Sequence, residues 1–157
     1  MTVHEYRARC SWSGSTAEGY DSYSRAHTLE CPPAPAQLAM SGDPTFLGDP
    51  NLLNPEQLLL AAAVSCQLLS FLAVAARARI DVWRYEDDAE ADMPEDIKPM
   101  RITAIRLRPR ITVAEGTDAA RVQKLVALAH NECFVANSLT SEMDIQATVT
   151  GRIVRST

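Results

Sequence analysis

Apolar residues recur along this chain in distinct patterns, and each pattern predicts a different element. Residues 3–12 and 20–30 alternate loosely and carry aromatic and β-branched side chains, which predicts two strands joined by a turn at Gly14–Gly19. From Leu58 to Ala76 almost every residue is apolar, which predicts a long helix. Its start is written locally: Asn54 can cap, Pro55 suits the first helical position, and Gln57 completes a capping box. Glu56 in the first turn complements the helix dipole, and the helix should run to about Arg79. Residues 80–92 and 101–114 read as a long antiparallel pair interrupted by Pro94 and Pro99, with an edge or bulge at Pro109. Thr117 then caps a second helix with apolar positions Val122, Leu125, Val126, Leu128 and Ala129, ending near Asn131. A short helical turn is expected from Cys133, and residues 143–154 return as a final strand. The stretch from Cys31 to Leu53, rich in Pro, Gly, Asp and Ser, reads as irregular; such long loops are usually functional or cover something.

The resulting order, ββ–α–ββ–α–β, predicts an α+β fold with a mainly antiparallel sheet against one dominant helix. No repeat or linker divides the sequence, so residues 1–157 read as a single domain. The long helix approaches the roughly 20 residues needed to cross a bilayer. Ser65, Cys66, Gln67 and Ser70 interrupt its middle, however, and no second such stretch exists, so it reads as the buried helix of a soluble protein. A helix apolar on most of its circumference cannot be covered by one small sheet. Self-association into a homodimer would cover it.

Composition narrows the function. The chain is 46% hydrophobic and 22% charged, as an ordinary globular domain is, and its formal net charge of −5 argues against a nucleic-acid partner. The cluster Glu86, Asp87, Asp88, Glu90 and Asp92 reads as a solvated strand edge. The N-terminal residues lack the apolar core of a signal peptide, so neither export nor membrane attachment is expected, and the location is cytoplasmic. Four cysteines stand at positions 10, 31, 66 and 133 with no CxxC pair, which fits free thiols in a reducing compartment better than a disulfide framework. Cys10 and Cys31 read as small packed side chains. His27, Cys31, His130 and Cys133 are spaced too loosely for a metal site, so no metal or other cofactor is expected.

The remaining two cysteines could carry chemistry. Cys66 lies in the middle of the apolar helix, where a thiol is ordinarily inert packing and burial raises its pKa. A reactive Cys66 therefore needs a cation close by, and Arg25, in the segment SYSRAH, is the best placed by sequence. Cys133, if it opens a short helix, would have its pKa lowered by the dipole. Two such cysteines far apart in sequence fit a peroxidatic and resolving pair, or two packed thiols.

Asn54-Pro55-Glu56-Gln57-Leu58-Leu59, followed by Ala61-Ala62-Ala63 and Cys66, resembles the signature of the OsmC/Ohr family, the osmotically inducible and organic hydroperoxide resistance proteins. The segment Cys133-Phe134-Val135-Ala136-Asn137-Ser138-Leu139 is similar to that family's second cysteine motif. The sequence departs from the pattern at Gln67, where an aromatic is common, and at Phe134, where proline is. The resemblance implies an intertwined homodimer that reduces organic hydroperoxides, drawing on a dithiol reductant such as a lipoylated protein. It implies that Cys66 attacks the peroxide, that Cys133 resolves the sulfenic acid, and that an arginine paired with Glu56 holds the thiolate ionised. The arginine role is carried to Arg25. Ten helical residues are about 15 Å of rise, so Glu56 reaches Cys66 only through a bent helix or from another subunit. The alternative function is a non-catalytic small-ligand-binding protein of the same fold, with Cys66 packed.

Overall fold

The computed structural model describes residues 1–152, which divide into two compact units, Met1–Leu59 and the chain from Leu60 onward. In the first, strands β1 (Arg9–Ser11), β2 (His27–Glu30) and β3 (Gln37–Met40) form an antiparallel sheet in the order β1-β2-β3. Cys10 faces Leu29 across β1–β2, and Leu29 faces Leu38 across β2–β3. The two expected strands are present but shorter than predicted. β3 corrects the reading of residues 31–53 as irregular throughout: it is a short run set among prolines, recognisable only through its pairing with β2.

After β3 the chain folds tightly. A 3-10 turn, Pro44–Phe46, is capped by Asp43, whose Oδ1 accepts the Thr45 N–H at 2.8 Å. Gly48 packs so closely on the Gly42 carbonyl that a Cβ there would stand 1.7 Å from the oxygen, which only glycine avoids. The other oxygen of Asp43 accepts from Asn54 Nδ2 at 3.3 Å, tying this loop to the start of the long helix. Met40 is the one apolar side chain of this unit that is buried, beside Ser41 and Asn54. Cys10 and Cys31, expected to be packed, are both exposed, because this unit has no interior in which to pack them.

Helix α1 runs from Pro55 to Arg77. The capping box forms as the sequence predicts: Asn54 Oδ1 accepts the Gln57 N–H at 2.8 Å, and Gln57 Oε1 accepts the Asn54 N–H at 3.0 Å. At the other end the Ile80 N–H reaches back to the Ala75 carbonyl at 2.9 Å and the Arg79 N–H to that of Ala76 at 3.0 Å. This is a Schellman closure, and it puts Arg79 in the left-handed region at φ 57°. A side chain there is strained by about 1 kcal/mol relative to glycine. Arg79→Gly should therefore raise stability by about 1 kcal/mol and the melting midpoint by roughly 2–4 °C, read in a thermal melt. Only one face of α1 is buried, through Ala63, Gln67, Phe71, Val74 and Ala75. Leu69 and Leu72 stay 63% and 39% exposed, so one chain leaves part of the helix uncovered, as the extent of its apolar surface led us to expect.

The second unit contains β4 (Val82–Asp87), β5 (Glu90–Asp92), β6 (Ala104–Leu107), β7 (Pro109–Ala114), β8 (Glu142–Ile145), β9 (Thr148–Arg152) and helix α2 (Ala119–Asn131). The expected antiparallel pair exists but is split between two sheets, β4-β7-β9 and β5-β6-β8. The split falls where Asp87 Oδ1 accepts the Arg108 N–H at 2.7 Å, just before Pro109 opens β7, a place in a strand that proline tolerates. Asp87 is half-buried, and that burial raises its pKa. The C-terminal segment also differs from expectation. It forms two strands that pair in parallel, β8 with β6 and β9 with β7, and the predicted extension to residues 153–154 lies outside the described residues. Asp118, not Thr117, caps α2, accepting the Ala120 N–H at 2.9 Å, while Thr117 donates its hydroxyl to the Ala114 carbonyl.

Alternation along β7 turns Ile111 and Val113 inward to meet Phe71, Val74 and Ala75 of α1 and Val122, Val126 and Ala129 of α2. Each fully buried large side chain in this cluster contributes roughly 1.5–3 kcal/mol. Leu128, one of the apolar positions of this helix, is exposed. The acidic cluster lies on the outer strands β4 and β5, as predicted for a solvated edge. Its carboxylates pair with arginines: Glu86 with Arg84, Asp88 with Arg110, and Asp92 with Arg106.

Candidate functional site

α2 ends at Asn131, and the chain turns at once into a short helical bend. Cys133 donates its N–H to the His130 carbonyl at 3.1 Å, and its own carbonyl accepts the Asn137 N–H at 3.0 Å. A 3-10 turn follows at Ala136–Ser138, a little later than the sequence predicts. This geometry leaves the N–H groups of residues 134–136 without helical partners. They point at sulfur. The Val135 N–H donates to Cys66 Sγ at 3.5 Å, and the Ala136 N–H donates to Cys133 Sγ at 3.5 Å. Cys66 and Cys133, 67 positions apart in sequence, are thereby brought within hydrogen-bonding reach of each other.

The two thiols differ in acidity. Burial works against the Cys66 thiolate, but hydrogen bonds from the Val135 N–H, the Cys133 thiol, the Phe134 N–H and the Ser70 hydroxyl outweigh it, and its pKa is lowered. Cys133 is 0% exposed; burial pushes its pKa up, and the neighbouring Cys66 thiolate adds to the rise. The expected lowering of Cys133 by a helix dipole is thus overturned, because burial outweighs the Ala136 N–H. What lowers Cys66 is a cradle of backbone N–H groups with two side-chain donors. The donors around Cys66 favour its thiolate, and burial disfavours that of Cys133.

A cleft of about 640 Å³ opens on Cys66, lined by apolar Leu69, Ala73 and Phe134 and by an ion pair, Arg77 with Glu132 at 2.8 Å. Phe134 is 81% exposed at its rim. Sequence reasoning missed Ser70, although it stands one helical turn after Cys66 and therefore shares its face. It could not have found the Val135 and Phe134 N–H groups, which carry no side-chain signal.

Arg25 precedes β2 rather than lying on a strand. Its guanidinium donates to the Tyr23 and Tyr20 carbonyls, both at 2.6 Å, and stacks on the two tyrosine rings. His27 donates from Nδ1 to the Arg25 carbonyl at 2.8 Å, fixing the backbone at that point. Arg25 and His27 line a cavity of about 410 Å³ in the first unit with Cys10, Trp12, Tyr23 and Pro55. Glu56 is half-buried in the first turn of α1 and makes no ion pair among the described residues. Among those residues no three His, Cys, Asp or Glu side chains are grouped as a metal ion would need.

No functionally curated protein matches the chain. Several solved structures do. An OsmC-like protein of unknown function from Vibrio cholerae superposes with a TM-score of 0.82 at 29% identity, covering 93% of this chain and 100% of that one. An organic hydroperoxide resistance protein from Legionella pneumophila gives 0.72 at 18% identity, covering 96% and 99%. Another, from Elizabethkingia anophelis with thiocyanate bound, gives 0.72 at 16%, again over 96% and 99%. These last two share the mixed α+β fold. Residues 48–148, from the turn ahead of the α1 cap to the start of β9, match the family described as OsmC-like protein, and they contain both cysteines of the paired site; the chain belongs to that family.

Proposed function

We propose that this protein is a thiol peroxidase that reduces organic hydroperoxides. The observation that carries this reading is the unequal pair of sulfurs, one cradled by hydrogen-bond donors and the other buried beside it. The Cys66 thiolate attacks the outer peroxide oxygen; the O–O bond breaks, the alkoxide leaves and takes a proton to become the alcohol, and Cys66 becomes a sulfenic acid. The Cys133 thiol condenses with it, releasing water and forming a disulfide. A small-molecule or protein-borne dithiol, such as a lipoyl group, then reopens that bond by exchange and is itself oxidised to a disulfide. The apolar lining of the Cys66 cleft suits an alkyl hydroperoxide. A cytoplasmic location fits the need for free thiols.

The proposal includes a homodimer. A first unit with one buried apolar side chain, and an α1 face leaving Leu69 and Leu72 uncovered, both need an apolar surface from elsewhere, and a second copy supplies it without another component. Arg25 and Glu56 enter as the groups that orient the peroxide in the assembled enzyme. Purified protein given an alkyl hydroperoxide and a dithiol should turn over. Arg25→Ala should lower kcat/KM by about 10–100-fold while leaving the pH profile of Cys66 alkylation in place. Absence of turnover in the parent, with both thiols still reduced after peroxide, would favour the small-ligand-binding alternative.

A further inference from the structure

Among the described residues, Gln67 is the one polar side chain that α1 buries. Gln67, the residue after Cys66, is 0% exposed. Its Nε2 donates to the Val126 carbonyl of α2 at 3.2 Å, and its Oε1 is buried without a partner among the described residues. The same helix buries Ala63, Phe71, Val74 and Ala75, and Val126 is buried on α2 with Val122 and Ala129.

This glutamine is not there for stability. Val126 stands in the middle of α2, where the helical ladder already supplies its carbonyl with a donor four residues on. The amide bond from Gln67 is therefore supplementary, and removing it leaves no orphan on α2. The unpaired Oε1, by contrast, costs about 1–3 kcal/mol. An apolar side chain of similar volume would avoid that cost. A local rule broken beside the nucleophile calls for a gain of another kind.

The gain is register. Apolar packing is non-directional and fixes poorly how far one helix slides along another, whereas a hydrogen bond to one carbonyl fixes it at a point. From Val126 the helix runs on only to Asn131, two residues short of Cys133, so the clamp sits on the approach to the sulfur pair. We propose that Gln67 is a positioning residue: its amide sets the register of α2 on α1 so that Cys133 and the 134–135 N–H groups meet Cys66. The proposal rests on the paired-thiol chemistry above and assigns a role to a side chain that does not touch the reacting atoms. A misplacement of about 1 Å at a reacting centre is worth orders of magnitude in rate, so a weak bond in the right place can matter.

The test uses full-length chain carrying Cys10→Ser and Cys31→Ser, which removes the two exposed thiols. Gln67→Leu and Gln67→Met are each compared with this parent in three measurements. These are the equilibrium of the Cys66–Cys133 disulfide with oxidised dithiothreitol, the pH midpoint of Cys66 alkylation, and the melting midpoint of the reduced chain. The exchange is balanced, since two protein thiols and a cyclic disulfide give a protein disulfide and a free dithiol. Loss of register should shift the equilibrium at least tenfold towards the protein dithiol and move the alkylation midpoint upward, with melting unchanged or raised. A disulfide equilibrium and an alkylation profile within twofold of the parent in both variants would overturn the proposal, and so would shifts that occur only where melting falls. If the parent itself forms no disulfide, the peroxidase chemistry fails first and the positioning role falls with it.

Discussion

Cys66→Ser should abolish hydroperoxide turnover, by about four orders of magnitude or more, because a serine hydroxyl in the same cradle remains protonated and is a poor nucleophile towards oxygen. Cys133→Ser should behave differently. Its hydroxyl can still donate to the Cys66 thiolate, so the first step survives and yields about one equivalent of alcohol per chain. The sulfenic acid then has no neighbouring thiol to condense with and accumulates in a form that a carbon nucleophile can trap. The two variants read the two halves of the mechanism separately, by alcohol release in a single turnover and by mass of the trapped adduct. Retained turnover in Cys66→Ser would sink the mechanism outright. Failure to trap an adduct in Cys133→Ser would leave Cys66 as nucleophile but remove Cys133 as its resolver.

Leu72→Glu should convert the proposed dimer, of twice 17.2 kDa, into a monomer, measured by sedimentation or light scattering. Leu72 is already 39% exposed on the uncovered face of α1, so within one chain the glutamate meets water and costs little. In a dimer that covers this face, the same carboxylate is buried without a partner, which costs several kcal/mol in each copy. Self-association would not survive that penalty twice over. A parent chain that sediments as a monomer, or a variant that stays dimeric, would show that another surface covers α1.

Legibility in the sequence followed the range of the interaction. The Asn54–Gln57 box was readable because it joins residues three apart, and both of its hydrogen bonds are present. The acidic edge was readable because adjacent charges cannot be buried together. β3 was not readable, since Gln37–Met40 has no strong strand pattern and owes its conformation to His27–Glu30. The same holds for the parallel pairing of β8 and β9, which depends on strands more than thirty residues away. At the site, the spacing of motifs pointed to two cysteines that do meet. The acidity of Cys133 was misjudged, because burial outweighs its N–H donors, and the backbone N–H groups of Phe134 and Val135 that lower Cys66 are not encoded by residue type. The long helix was read as more than one sheet can cover, and Leu69 and Leu72 are exposed; hydrophobicity says that a surface seeks cover, not which molecule provides it.

On the proposed chemistry, the seclusion of Cys133 also sets a threshold for damage. A sulfenic acid at Cys66 can be lost to irreversible overoxidation if a second peroxide arrives before the neighbouring thiol closes on it. That thiol is already in place, shielded from oxidants in bulk solvent, while the second peroxide must diffuse in. Survival under a burst of oxidant is then governed by a race between an internal bond closure and an external collision, and the fold has given the internal partner its head start.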